Sequence, residues 1–146
     1  MVAQEIDLAN QLCFSIYNAN RLFAKFYQQA LDEFQLTYPQ YLVMLALWEN
    51  EPINLRELGQ KLHLASNTLT PLLKRLEQNG WLTRIRPTED KRQLVVSLTP
   101  KGQELKPLVE ERLAECVKNM GDFDIKEYQN MLDDNQKLIT TLLKLV

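Results

Sequence analysis

Apolar residues recur at steps of three and four over most of the chain, which is the spacing of one face of an α-helix. From residue 5 to residue 34 the spacing continues without a glycine or proline, at Leu8, Leu12, Ile16, Ala19, Phe23, Phe26 and Ala30. It predicts one helix of roughly 45 Å. Since a small domain does not need so long a helix for its own core, we expect part of it to pack on a second subunit.

A shorter segment that follows is apolar on nearly every side. Thr37 and Gln40 have the spacing of a capping box, and Pro39 falls in the first turn, where its missing N–H costs little. Residues 41–48 then show no polar stripe, which predicts a fully buried central helix. Glu51 and Pro52 end it.

Two short helical segments come next, separated by a turn of about three or four residues, as in a helix-turn-helix. Asn54, with Glu57 three residues later, is a capping start for the first segment. Ser66 or a neighbour caps the second, which ends at Asn79 and Gly80. The inward positions of the two segments are Leu55, Leu58, Leu62, Leu69, Leu72, Leu73 and Leu76.

After Gly80 the apolar period changes from helical to alternating. Residues 81–86 and 93–98 have the pattern of strands, and the polar run 87–92 joins them. These residues predict a β-hairpin beside the second short helix, with a charged tip that is too polar for the core.

The rest of the chain predicts two further helices. Thr99 and Pro100 have the form of an N-cap followed by a first-turn proline, opening a helix that ends near residue 119 before Met120 and Gly121. Asp124 caps the last helix.

The predicted fold class is mainly α with a small β-hairpin wing. We expect one domain over residues 1–146, with a winged helix-turn-helix at 38–99 flanked by dimerisation helices at 5–34 and 100–146. No run approaches the roughly 20 apolar residues that span a bilayer, and the N-terminus lacks a signal-peptide pattern. We therefore expect a cytoplasmic protein with no membrane partner.

Charge is distributed unevenly along the chain. Residues 54–101 hold nine basic and four acidic side chains, a local charge of +5 in a chain whose net charge is −2. A basic segment within an acidic body suits local phosphate contact, and its coincidence with the predicted helix-turn-helix favours DNA over a merely solvated face.

A two-fold dimer would place two recognition helices in successive major grooves of a pseudo-palindromic DNA operator. The early residues of the second short helix are the candidate base readers or phosphate donors, followed by two cations for phosphates. Arg92 is a candidate for the minor groove. Arg84 and Arg86 are either phosphate contacts or a solvated strand face. The candidates on the helix are Ser66, Asn67, Thr68, Thr70, Lys74 and Arg75.

The chain has two cysteines, Cys13 and Cys116, about a hundred residues apart. A zinc centre would need three or four clustered ligands, so we predict no metal and no cofactor. In a reducing cytosol both cysteines should be free thiols.

The order of these elements resembles the MarR family of winged-helix transcription regulators, and within it the organic-hydroperoxide-sensing OhrR branch. Four stretches carry the resemblance, and the runs Gln-Leu-Cys and Leu-Thr-Tyr-Pro-Gln-Tyr are specific to it. They are Asn-Gln-Leu-Cys-Phe at 10–14 with Tyr17, residues 36–44, residues 68–77, and residues 89–93 leading to 97–99.

The resemblance implies that Cys13 is the peroxide-reactive cysteine and that tyrosines surround it in a pocket at the dimer interface. Tyr27 and Tyr38 are then the expected hydrogen-bond partners of its sulfur, with Tyr17 nearby. Cys116 is either a resolving cysteine or a buried structural thiol. The resemblance also implies an Asp-x-Arg pattern on the wing, at Asp90, Lys91 and Arg92.

The expected function is redox-controlled repression: the reduced dimer binds its operator, and oxidation of Cys13 by an organic hydroperoxide releases it. One alternative is a MarR-type repressor controlled by a small aromatic or anionic ligand. A thiol peroxidase using Cys13 is a remote alternative, because an enzyme gains nothing from a recognition helix and wing. We therefore expect a regulator and not an enzyme.

Overall fold

The computed structural model describes residues 7, 11–119, 121 and 124–146. In this part of the chain, six α-helices and one small antiparallel sheet confirm the predicted fold class. The helices are α1 (Leu12–Leu31), α2 (Tyr38–Glu49), α3 (Leu55–Leu62), α4 (Ser66–Gln78), α5 (Pro100–Lys118) and α6 (Ile125–Leu143). The strands are β1 (Ile53–Asn54), β2 (Leu82–Ile85) and β3 (Val95–Leu98). The predicted start of the first helix falls among residues 5–10, of which only Asp7 is described.

Side-chain caps start three of the helices where the sequence predicts them. At α2, the Gln40 N–H donates to Thr37 Oγ1 (3.3 Å) and the Thr37 N–H donates to Gln40 Oε1 (3.0 Å), a complete capping box. Asn54 Oδ1 accepts from the Glu57 N–H (2.8 Å) at α3, and Asp124 caps α6. These local bonds satisfy N–H groups that a helix cannot satisfy internally.

The start of α4 is different, because Ser66 is its first helical residue and Ala65 is the N-cap. The Ala65 carbonyl accepts from the N–H groups of Thr68 and Leu69, both at 3.0 Å, and no side chain caps this end. The Ser66 hydroxyl is therefore not used as a cap.

The sheet has three strands in the order β1-β3-β2, whereas the sequence predicts only two. Ile53 lies opposite Val96, and Leu82 lies opposite Leu98. Strand β1 has only two residues, too few to show an alternating pattern, and it forms because it pairs with the free edge of β3. The predicted hairpin is confirmed, with shorter strands than expected.

The main core lies between α2, α3, α4 and the sheet. Val43, Met44, Leu58, Leu73 and Val96 are fully buried there. The sequence predicts that α2 is buried on every side, and this prediction is wrong. Four of the residues 41–48 are partly exposed, although none of them is fully exposed; the four are Tyr41, Leu42, Leu45 and Trp48. A helix in a small domain has too few neighbours to be covered all round.

The chain divides into two compact units, residues 1–113 and 114–146, with the boundary inside α5. In the first unit, α5 contributes Leu105, Val109 and Leu113 to buried positions. In the second unit, α6 has no buried residue, and its apolar side chains Tyr128, Met131, Leu132, Leu142 and Leu143 are exposed. Among the described helices, none is both long and apolar enough to cross a membrane.

Candidate DNA-binding face and redox site

The first turns of α4 separate sharply into a buried and an exposed face. Leu69, Leu73 and Leu76 are completely buried, which orients the helix on the core. The polar side chains at the start of the helix are exposed, and together we call them the reading face; it consists of Ser66, Asn67, Thr68 and Thr70. Hydroxyl and amide groups in this position can contact base edges and phosphates in a major groove.

Thr70 on this face already has one bond within the helix. Its hydroxyl donates to the Ser66 carbonyl at 2.7 Å, which leaves its oxygen as an acceptor. Lys74 and Arg75, one turn further on, are exposed and free to approach phosphates.

The wing tip is organised by its Asp-x-Arg run. The Asp90 carboxylate accepts from both the backbone N–H and the Nε of Arg92, at 3.1 and 3.2 Å. The Arg92 side chain is nonetheless 93% exposed. Arg86 donates to the carbonyl of Lys91 at 3.0 Å. The tip is therefore a turn held by its own charges, with an arginine projecting into solvent.

Arg84 has a structural partner. Its guanidinium pairs with Glu77 Oε1 at 3.2 Å, and its backbone N–H donates to Glu77 Oε2 at 3.0 Å, so it ties β2 to α4. The guanidinium also holds the pKa of the Glu77 carboxyl below its usual range, mainly through this hydrogen bond. Arg84 is thus not a simple solvated charge on a strand face, which was one of the two readings of the sequence.

A hollow lies between the wing and the N-terminal ends of α3 and α4. Arg56, Arg86, Arg92 and Ser66 line it together with Asp90. Arg56 is exposed and is missing from the candidates that the sequence suggests. Its position in the first turn of the first short helix was the signal that could have found it, because that turn adjoins the start of the recognition helix.

Cys13 is the second residue of α1 and is exposed. Its thiol donates to Gln11 Oε1 at 3.8 Å. Tyr17, one turn further along the helix, is 65% exposed, and Phe14 and Ile16 are also exposed. The thiol therefore lies on an apolar helix surface that is exposed among the described residues.

Tyr27 and Tyr38 contact each other at a site that is distant from Cys13 of the same chain. Their rings stack with centroids 5.3 Å apart and an interplanar angle of 10°. The rings around them form an aromatic cluster, whose members are Phe23, Phe26, Tyr27, Tyr38, Tyr41 and Trp48. Tyr41 is absent from the sequence candidates, although its helical spacing from Tyr38 and Trp48 places all three near one face of α2.

Burial in this cluster raises the pKa of Tyr41 to about 12, with the neighbouring phenols of Tyr27 and Tyr38 and the Glu110 carboxylate adding to the effect. Each of these surroundings disfavours a phenolate. The Tyr41 phenol is therefore protonated throughout the physiological range.

One subunit does not bring Cys13 to these tyrosines. Cys13 and Tyr27 are 14 residues apart on the same helix, so they are separated by about 21 Å along its axis. Cys116 is buried in the second unit of the chain, and no disulfide joins it to Cys13. Among the described residues, no three potential metal ligands cluster.

A helix-turn-helix with an exposed polar reading face, next to a wing with an exposed arginine, defines a winged-helix DNA-binding regulator. A family model for the transcriptional regulators SarA/Rot matches residues 25–108. The chain belongs to this group of MarR-type winged-helix transcription regulators, and its likeness to the OhrR branch is confirmed by the relatives described next.

An organic hydroperoxide resistance transcriptional regulator of Bacillus subtilis is 50% identical over 101 residues, which is 69% of each chain. A structure of reduced AbfR bound to DNA has 47% identity and a TM-score of 0.88 over 99% of each chain; AbfR is a protein of Staphylococcus epidermidis. A structure of disulfide-formed AbfR has 49% identity and a TM-score of 0.66, covering 94% of this chain and 91% of that one. The Bacillus subtilis relative is thus a transcriptional regulator by name, and AbfR is a protein that binds DNA.

Proposed function

We propose that this protein is a cytoplasmic, redox-sensing repressor that binds a pseudo-palindromic operator as a homodimer and releases it when an organic hydroperoxide oxidises Cys13. The observation that carries the proposal is the exposed Cys13 thiol on the uncovered apolar face of α1, in a chain that also has a DNA-reading face. A thiol that senses a peroxide must be reachable by it.

A second subunit can bring tyrosines close to Cys13, although those of the same chain are distant from it. If two α1 helices pack antiparallel about a two-fold axis near residue 20, Cys13 of one subunit meets the level of Tyr27 of the partner subunit. The same register sets Tyr17 against Phe23 of the partner subunit, and both side chains are exposed in the single chain. The dimer thus completes the sensor and covers the apolar face at once.

The chemistry at this interface requires no cofactor. The Cys13 thiolate attacks one peroxide oxygen; the S–O bond forms, the O–O bond breaks, and the leaving alkoxide takes a proton to become an alcohol. The sulfur is oxidised by two electrons to a sulfenic acid. Phenol O–H groups of Tyr27 and Tyr38 stabilise the thiolate, and the apolar surroundings favour an organic hydroperoxide over a small polar oxidant.

A second thiol then resolves the sulfenic acid, forming an S–S bond and releasing water. Cys116 of the partner subunit is one such thiol, and a small cellular thiol is the other. Since Cys116 is only 8% exposed, attack by its sulfur requires a local rearrangement of α5. Such a change at the interface moves the two reading faces away from the spacing of about 34 Å that successive major grooves demand.

The relatives support this reading: one is named for organic hydroperoxide resistance, and AbfR is known both in a reduced DNA complex and in a disulfide form. In this chain, the reading face with Lys74 and Arg75, the hollow with Arg86, and the wing residues Asp90, Lys91 and Arg92 would contact the operator.

The test is a gel shift on the protein's own upstream DNA, with and without cumene hydroperoxide and then with reductant. Wild type should be released by the peroxide and should rebind after reduction. Cys13→Ser should bind the same DNA and stay bound in the presence of peroxide. Release of Cys13→Ser at the wild-type peroxide concentration would rule out this cysteine as the sensor.

Cys116→Ser is the matched control, because it removes the other thiol of the chain. It should still respond to the peroxide, but it should form no disulfide-linked dimer on a non-reducing gel. If the dimer band persists in Cys116→Ser, the disulfide does not involve Cys116.

A further inference from the structure

Tyr41 contacts both of the tyrosines that the proposed sensor uses. Its ring centroid lies 5.9 Å from that of Tyr27 and 6.4 Å from that of Tyr38, with interplanar angles of 31° and 33°. Tyr27 is on α1 and Tyr38 opens α2. Tyr41 therefore packs against the junction of two phenols that come from different helices.

Tyr41 also contacts a third ring, that of Trp48. Its ring makes an edge contact with Trp48 at 6.4 Å, and the Trp48 Nε1–H donates to the Gly102 carbonyl at 3.0 Å. The backbone at Gly102 is packed closely against that of Trp81, because a Cβ at this position would lie 2.0 Å from the Trp81 carbonyl oxygen. The row of contacts runs from a tightly packed backbone to the tyrosine pair.

The orientation of a phenol determines where its O–H points, and aromatic contacts of this kind restrict ring rotation. The geometry points to Tyr41 as a positioning residue: its ring holds Tyr27 and Tyr38 in the orientation from which they donate to the Cys13 sulfur of the partner subunit. This inference rests on the proposed function, since it concerns the same sulfur and the same two donors.

The ring of Tyr41, and not its hydroxyl, does the positioning. The contacts to Tyr27, Tyr38 and Trp48 are all ring contacts. Tyr41→Phe keeps these contacts and should therefore behave like wild type. Tyr41→Leu and Tyr41→Met remove the flat ring while leaving an apolar side chain, so they should release the tyrosine pair.

The experiment compares these variants in a Cys116→Ser background, where Cys13 is the one remaining thiol of the chain. Ultraviolet thiolate absorbance against pH gives the apparent pKa of Cys13, and the loss of labelling by a thiol reagent gives its rate of oxidation by cumene hydroperoxide. Weaker donation to the thiolate should raise the apparent pKa of Cys13 by about one unit in Tyr41→Leu, and oxidation at pH values below the wild-type apparent pKa should be about tenfold slower. Tyr41→Met should change both quantities in the same direction.

Circular dichroism and operator binding by the reduced variants show that the fold is retained, and Tyr41→Met replaces Tyr41→Leu if the latter does not fold. Phe34→Leu is the matched control, because it removes an aromatic ring that is outside the cluster, and it should match wild type. A purely structural role for Tyr41 would lower stability without moving the thiol titration.

Three results would overturn the inference. They are a folded Tyr41→Leu or Tyr41→Met with the wild-type Cys13 pKa and rate, a Tyr41→Phe as impaired as Tyr41→Leu, and an equal effect from Phe34→Leu. If wild-type Cys13 itself does not react with the peroxide, the proposed function fails; if wild type reacts and the Tyr41 variants match it, only the role of Tyr41 fails.

Discussion

Helices α1 and α2 are both rich in apolar residues, yet they differ in how far the rest of the chain buries them. Of the 12 residues of α2, five are buried, and none between 41 and 48 is fully exposed. Of the 20 residues of α1, only Ala30 and Leu31 are buried, while Leu12, Tyr17, Leu22 and Phe23 are at least 45% exposed. Apolar content is therefore not what decides burial; the available neighbours decide it.

The difference separates the two tasks proposed for this protein. The winged part has a buried core formed within one chain, and its reading face is exposed without a contribution from a second subunit. The apolar face of α1 is contiguous and exposed, as surfaces that meet another subunit are, and Cys13 lies on it. In the proposed function, one subunit therefore supplies a complete DNA-reading face, whereas the sensing site needs residues of two subunits.

A substitution in the buried core of the winged part should have the largest effect on stability. Leu73 is completely buried in α4, so Leu73→Ala leaves a cavity and should lower the free energy of unfolding by about 2–5 kcal/mol. Denaturant unfolding measures it. Leu145→Ala, at a position 75% exposed, is the control and should change stability little. Equal effects from the two variants would contradict the assigned core.

A substitution on the exposed apolar face of α1 should affect dimer assembly and not the fold of the subunit. Ile16→Asp places a charge on the apolar face of α1, and the resulting monomer should lose the gain from binding two half-sites, about 100-fold in operator affinity. Sedimentation and a gel shift measure both effects, with circular dichroism unchanged. Lys25→Gln makes the same change in charge on the opposite side of the helix and should remain dimeric. A dimeric Ile16→Asp would show that this face is not the interface.

The smallest effects should separate two arginines of the wing. Arg92 is exposed, so Arg92→Ala should weaken operator binding and reduce the slope of log affinity against log salt by about one. Arg84 is paired with Glu77, so Arg84→Ala should destabilise the fold and leave that slope unchanged. Binding curves for Arg92→Ala that overlay wild type at every salt concentration would exclude the wing contact; a reduced slope for Arg84→Ala would make it a phosphate contact after all.

Much of the fold could be predicted because its signals are local. Thr37, Asn54 and Asp124 cap helices by bonds that span two or three residues, and such bonds can be read from spacing. Strand β1 was missed, and the cap of α4 could be predicted only as Ser66 or a neighbour, because neither feature has a side-chain pattern. The strand depends on a distant strand edge, and the Ala65 cap depends on backbone conformation. The candidate roles of the DNA-facing residues remain predictions. Helix α4 exposes the polar positions and buries Leu69, Leu73 and Leu76 as predicted, whereas Leu72 is only partly buried.

The sequence by itself determined the order of the elements, the polar and apolar faces of α4, the position of Cys13 on an apolar helix, and the resemblance that links it to Tyr27 and Tyr38. The tertiary structure alone decided that Arg84 is committed to Glu77, that Arg56 lies beside the wing, and that Tyr41 joins the tyrosine pair. The separation of about 21 Å between Cys13 and Tyr27 already follows from the single helix that the sequence predicts over residues 5–34. The physical reason is that helical periodicity and capping act over a few residues, whereas ring contacts, ion pairs and subunit interfaces join residues that are far apart in the chain.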